Sequence, residues 1–175
     1  MWNSNSDFQV KHIAYIGIGS NIGNTYSNCL RAIEELNRSG KNRIVAKSSL
    51  YKTEPIGYTN QKWFINCVVE LETLLSAKDL LLLLKDIEFR LGRTKGPRWG
   101  PRNIDIDLLL YDNQVINDTD LKVPHPEIKK RRFVLAPLSE IAPDLIHPVI
   151  GLSIKALLDS VGDAQRVEML KTGVV

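Results

Sequence analysis

Asp105 and Asp107 are the pair in this sequence whose type and spacing most directly suggest chemistry. Residues 104–111 are otherwise almost entirely apolar and read as a strand, whose two-residue side-chain period sends both carboxylates to one face. Ile104, Ile106 and Leu108 then point to the opposite face, into a core. Two like charges held this close repel unless a cation joins them, and their hard oxygens suit Mg²⁺. An isolated Asp-x-Asp is otherwise the polar outer face of an ordinary amphipathic strand.

The preceding loop favours the metal-binding reading. Arg93, Lys95, Arg98 and Arg102 are interleaved there with Gly92, Gly96, Gly100 and Trp99. Cations beside two carboxylates could hold a polyphosphate, with Arg making forked contacts and a metal bridging carboxylate to phosphate. Pro97 and Pro101 lower the entropy lost when such a loop clamps a ligand. Trp99 could stack on a purine or another flat ring. The glycines and charged tips predict a loop that orders around a polyphosphate and metal and excludes water. A solvated basic loop making surface ion pairs is the plainer alternative.

Other motifs are less specific. Gly17-Ile18-Gly19-Ser20-Asn21-Ile22-Gly23 places its last glycine one residue too late for a dinucleotide fingerprint, and it lacks the ending of a Walker A loop. It reads as a tight strand-to-helix turn, with backbone contact to a ligand as the lesser alternative. Thr53 and Ile56, followed by Phe64 and Asn66, could wall a pocket for a flat heterocycle: Phe64 offers a ring face and Asn66 a donor and an acceptor. Asn66 could equally satisfy buried backbone groups. His12 and His147 have no metal-ligand neighbours at helical spacing and read as structural or surface residues. His125 stands between prolines just ahead of Lys129, Lys130, Arg131 and Arg132, a cluster able to reach a triphosphate tail or simply to form a solvated face. No arrangement for covalent nucleophilic catalysis emerges.

These residues need a scaffold, and the chain's 175 residues, 43% of them apolar, suffice for one sizeable core. A formal charge of +3 is too small to imply nucleic acid or a membrane surface as partner. Cys29 and Cys67 lack metal or redox spacing and read as small reduced core residues, in keeping with a cytoplasmic protein. No apolar run spans a bilayer. The pattern predicts strands over 13–18, 44–51, 64–74 and 104–111, with helices over 24–38 and from Ser76 to about Leu91. That order, βαββαβ, is a ferredoxin-like α+β sandwich with helices on one sheet face. A C-terminal extension of short strands follows, with helices near 133–141 and 153–161. Residues 1–11 read as a disordered extension, 12–165 as one domain and 166–175 as a tail.

The string Arg98-Trp99-Gly100-Pro101-Arg102-Asn103-Ile104-Asp105-Ile106-Asp107-Leu108-Leu109 resembles the signature of the 6-hydroxymethyl-7,8-dihydropterin pyrophosphokinases. The resemblance continues through Gly19-Ser20-Asn21, Tyr51-Lys52-Thr53, Phe64-Ile65-Asn66, Ile87-Glu88, Gly92-Arg93, Val123-Pro124-His125-Pro126 and Arg131-Arg132-Phe133, covering roughly residues 13–158. It implies the ferredoxin-like fold, two Mg²⁺ ions, and transfer of the β,γ-diphosphate of ATP to the pterin hydroxymethyl oxygen, leaving AMP. It further implies that Asp105 and Asp107 hold the metals, and that Glu88, Lys95, Trp99, Arg102, Leu108, His125 and Arg131 approach ATP together with Arg98. Thr53, Ile56, Phe64, Asn66 and Phe133 would surround the pterin, while Arg93 and Arg102 assist transfer. Asp107 is available to accept or orient the hydroxymethyl proton. Lys95 stands where many relatives place Arg, exchanging a fork-shaped contact for a point charge, and the loop between Arg93 and Arg98 is one residue shorter than in some of them. The partners implied are small molecules, and the expected state is a monomer.

Overall fold

A computed structural model describes residues 10–93, 96 and 100–171. Strand β1 (His12–Ser20) turns into helix α1 (Thr25–Arg38), whose start is fixed by Asn24: its side-chain oxygen accepts the Ser27 N–H at 3.0 Å. Next come β2 (Asn42–Lys47), β3 (Tyr51–Thr53), β4 (Phe64–Thr73), α2 (Ala77–Arg90) and β5 (Asp105–Tyr111). Ser76 caps α2 as expected, accepting the Asp79 N–H at 3.2 Å while donating to the Asp79 carboxylate at 2.7 Å. The hairpin β6 (Ile116–Asn117) and β7 (Lys122–Val123), helices α3 (Arg132–Ile141) and α4 (Ile154–Val161), and strand β8 (Val167–Met169) complete the order.

The main sheet has six strands, ordered β5-β1-β4-β3-β8, with β2 also paired to β4. All its pairings are antiparallel. With β1 and β4 central and α1 and α2 following β1 and β4, this is the expected ferredoxin-like arrangement. The strand expected over 44–51 is instead two strands along one edge of β4, separated by a break at 48–50, with a register shift inside β2 between Ile44 and Ala46. Side chains take over the hydrogen bonding at the break. Ser48 Oγ accepts the Val68 N–H at 3.0 Å. Ser49 turns outward, giving its N–H and hydroxyl to Glu140 of α3 at 3.0 and 2.8 Å, and the Tyr51 hydroxyl joins them at 2.9 Å.

Alternation sorts each strand between two layers. Ala14, Ile16 and Ile18 of β1, Cys67, Val69 and Leu71 of β4, and Ile106 and Leu108 of β5 meet Ala32 and Leu36 of α1 and Leu80, Leu84 and Ile87 of α2. On the other face Tyr15, Val68, Leu109 and Leu110 pack against Val134, Leu135 and Leu138 of α3 and Ile154 and Leu157 of α4. The C-terminal helices therefore add a second layer to the one-sided helix layer read from the sequence. They cover only part of that face, and the uncovered part carries the candidate site. Among the described residues no helix is long and apolar enough to cross a membrane.

Candidate active site

Strand register builds the site in rows. Asp105 lies opposite Gly19, which lies opposite Asn66; in the adjoining row Asp107 lies opposite Gly17, which lies opposite Val68. The glycines leave a trough between the carboxylates of β5 and the amide of β4. A Cβ at Gly19 would collide with Asn66 Oδ1, and one at Gly17 would come within 3.3 Å of the Leu109 side chain. The turn read from spacing as structural thus also contributes a cavity floor. The cavity above it measures about 550 Å³.

At its polar end the cavity is lined by Arg93, Arg102, Asp105, Asp107, His125 and Arg131. Arg93 Nη2 binds Asp105 Oδ1 at 2.7 Å, and Arg102 Nη1 stands 3.9 Å from the same oxygen. Behind them Glu88 occupies the buried stripe of α2, between the α2 core and β5. Its Oε1 accepts the Ile106 N–H at 2.7 Å, and its Oε2 meets Lys85 at 3.1 Å and Arg93 at 3.3 Å. One buried carboxylate thereby joins helix, strand and guanidinium. Burial, with a smaller push from Asp105, raises the Glu88 pKa against the pull of Lys85, the Ile106 N–H and Arg93. Arg93 Nε is buried without a hydrogen-bond partner among the described residues.

Asp107 is raised above the usual carboxylate range, chiefly by burial and next by Asp105; His125, Lys85 and Arg131 oppose the shift. Burial lowers the His125 pKa, with the Arg131 charge adding to it against Asp107. In its neutral form His125 Nδ1 accepts the Glu127 N–H at 3.2 Å, which leaves Nε2 as the donor. Arg102 is placed through its backbone. Asn21, only 2% exposed, accepts the Arg102 N–H at 2.7 Å and donates its own N–H to the Arg102 carbonyl at 2.9 Å. The same side chain donates to Lys62 O at 3.0 Å, so the Gly-Ser-Asn turn ties two loops to the cation.

The other end is lined by aromatic, amide and hydroxyl side chains. Asn66 donates to Thr53 Oγ1 at 2.6 Å, and Phe64, Phe133 and the exposed Ile56 wall the space around them. The Arg131 guanidinium lies 5.6 Å from the Phe133 ring centre, linking the two ends. The expected site residues therefore converge, with two exceptions. Leu108 packs in the helix-side core, as the alternation from Asp107 requires, and does not line the cavity. Glu88 also stands behind the wall and acts on it through Arg93. Lys95, Arg98 and Trp99, and the ordering of their loop, lie outside the described residues. Sequence reasoning missed Leu109, Gln61 and Gln165 as lining residues; Leu109 follows from the Asp105, Asp107 alternation, whereas no local pattern marks the glutamines.

Fold and site together define a ferredoxin-like protein whose cavity joins an acidic, guanidinium-lined end to a flat, hydrogen-bonding one. The family model for 7,8-dihydro-6-hydroxymethylpterin-pyrophosphokinase matches residues 15–143. The 2-amino-4-hydroxy-6-hydroxymethyldihydropteridine pyrophosphokinase of Methylorubrum extorquens is 46% identical over 133 residues, covering 76% of this chain and 84% of its own. The enzyme of that name from Aquifex aeolicus is 43% identical over 141 residues, 81% of this chain and 87% of its own. Among solved structures, wild-type Plasmodium falciparum HPPK-DHPS shares the fold with a TM-score of 0.70 at 15% identity, covering 86% of this chain, which spans 45% of that longer one. The chain belongs to the 7,8-dihydro-6-hydroxymethylpterin-pyrophosphokinase family. Pyrophosphokinase activity in folate biosynthesis, with ATP as donor, goes with that membership.

Proposed function

We propose that this cavity divides the transfer between its two ends. The observation that carries the reading is the row Asp105–Gly19–Asn66, which sets the acidic pair and the heterocycle-binding amide on either side of a residue without a side chain. Phe64 and Phe133 hold the flat pterin, while Asn66 and Thr53 read its edge. Arg131, His125 and Arg102 hold the triphosphate. The pterin hydroxymethyl oxygen attacks the β-phosphorus in line, the bond from that phosphorus to the oxygen bridging the α and β phosphates breaks, and AMP departs carrying that oxygen. Arg93 and Arg102, whose side chains line the cavity, stabilise the charge that develops. Asp107, on the same cavity face, is available to orient or take the proton of the attacking hydroxyl.

Two Mg²⁺ ions fit the donors at Asp105 and Asp107. Among the described residues no three His, Cys, Asp or Glu form a closed metal cage, which suits an ion completing its shell with phosphate and water. Such ions, when bound, neutralise phosphate charge and acidify the attacking hydroxyl. Lys95, Arg98 and Trp99 are assigned to ATP by the resemblance alone. Reduced, buried Cys29 and Cys67 suit a cytoplasmic setting, and one chain supplies the whole cavity, as a monomer requires. Incubation with ATP, Mg²⁺ and 6-hydroxymethyl-7,8-dihydropterin is expected to yield AMP and the pterin diphosphate in equal amounts. AMP formed equally well without the pterin would identify a hydrolase and overturn the reading.

A further inference from the structure

The residues after α4 return to the pterin end of the cavity. Gln165 Nε2 donates to the Glu54 carbonyl at 2.7 Å, and its Oε1 accepts the Phe133 N–H at 3.2 Å. Glu54 belongs to the loop carrying Thr53 and Ile56, whereas Phe133 opens α3, so one amide spans the two walls of the flat end. Its bond to Phe133 also answers a need of that helix. The first N–H groups of a helix lack internal partners, and the residue at the start of α3, Arg131, makes no side-chain capping bond. Gln165 supplies an acceptor from a distant part of the chain and fixes the backbone that aims the Phe133 ring.

The neighbouring contacts hold this segment in place independently of the amide. The Glu54 N–H donates to the Arg166 carbonyl at 3.0 Å, β8 pairs with β3 from Tyr51 to Thr53, and the Arg166 and Lys52 charges stand 5.5 and 5.3 Å from the Trp63 ring centre. The family match ends at residue 143, so the whole strap lies beyond it. Gln165 itself lines the cavity, and each of its polar atoms retains capacity after its one bond.

We propose that Gln165 is a substrate-positioning residue: its amide sets the spacing of the Phe133 wall and the 53–56 loop, so that a flat heterocycle is gripped between them. This rests on the pterin reading above. Gln165→Ala is expected to raise the KM for 6-hydroxymethyl-7,8-dihydropterin roughly three- to tenfold, the range that loss of one neutral hydrogen bond gives. The KM for ATP and kcat should stay within about twofold. Gln165→Glu keeps an acceptor for Phe133 but opposes an oxygen to the Glu54 carbonyl, and should fall between wild type and Gln165→Ala. Arg166→Ala, which leaves the amide in place, should leave the pterin KM unchanged; thermal melts of all three variants check folding. An equal rise in both KM values, an unchanged pterin KM in Gln165→Ala, or the same rise in Arg166→Ala would overturn the assignment. Asn66→Ala separates the two levels: if it raises the pterin KM and Gln165→Ala does not, the strap inference alone fails, and if neither does, the pterin pocket fails with it.

Discussion

Strand β5 shows two faces of one sheet built from alternate residues yet governed by different requirements. Ile106 and Leu108 enter a close-packed layer with α1 and α2, where any apolar side chain of fitting shape serves. Asp105 and Asp107, their immediate neighbours, enter a cavity, where burial and the nearby Asp105 charge raise the Asp107 pKa. One face is selected for filling space and the other for leaving it, which is why β1 carries Ala14, Ile16 and Ile18 toward the helices but Gly17 and Gly19 toward the cavity. Stability and chemistry are thus separable residue by residue along a single strand.

That separation can be tested at decreasing strength. Asp107→Ala should cut turnover on the order of a thousandfold or more while leaving the melting temperature near that of the wild type or above it, since a partly buried charge is removed. Near-normal AMP production by that variant would break the metal-pair assignment. Ile106→Ala, one residue away, should do the reverse: a loss of about 3 kcal/mol in denaturant unfolding, with KM values unchanged in the folded fraction. A turnover defect matching that of Asp107→Ala would show that the faces are coupled. Gly19→Ala should raise the pterin KM about tenfold by displacing Asn66, with a smaller effect on ATP; unchanged pterin kinetics would mean that the trough does not hold the heterocycle.

The smallest expected effect concerns acid. His147 is buried beneath the turn after α3, with Nδ1 accepting the Val149 and Ile150 N–H groups at 3.3 Å each. Burial depresses its pKa below the ordinary 6.5, aided by the Lys129 charge and opposed by its own backbone. The unfolded chain therefore binds this proton more readily, and the stabilising contribution is complete above the unfolded pKa and lost as pH falls through the folded one. Urea midpoints should decline from about pH 7 to about pH 5, and His147→Gln should flatten part of that decline. An identical slope in the variant would remove His147 from the account.

Much of this was legible in order and alternation. The βαββαβ succession, the Ser76 cap and the opposed faces of β5 follow from periods of 2 and 3.6 and from capping chemistry, all local. The break between β2 and β3 was not legible, because the hydrogen bonds of Ser49 and Tyr51 go to Glu140, far along the chain on α3. Leu108 is instructive in the same way: spacing put it in the core, resemblance put it toward ATP, and the structure packs its side chain in the core. Asn21 and Gln165 stayed hidden because their value lies in partners distant in sequence. A buried amide in a glycine-rich turn is a weak local signal, and a glutamine in a polar segment is none.

Strand β8 carries a consequence for how the protein comes into being. A ribosome delivers Asp105 and Asp107 of β5 before Gln165 and the strand that follows it, so a growing chain can assemble its helix-side core while the Phe133 wall still lacks its brace. The brace on the Phe133 wall therefore forms after the guanidinium-lined end of the cavity has its framework.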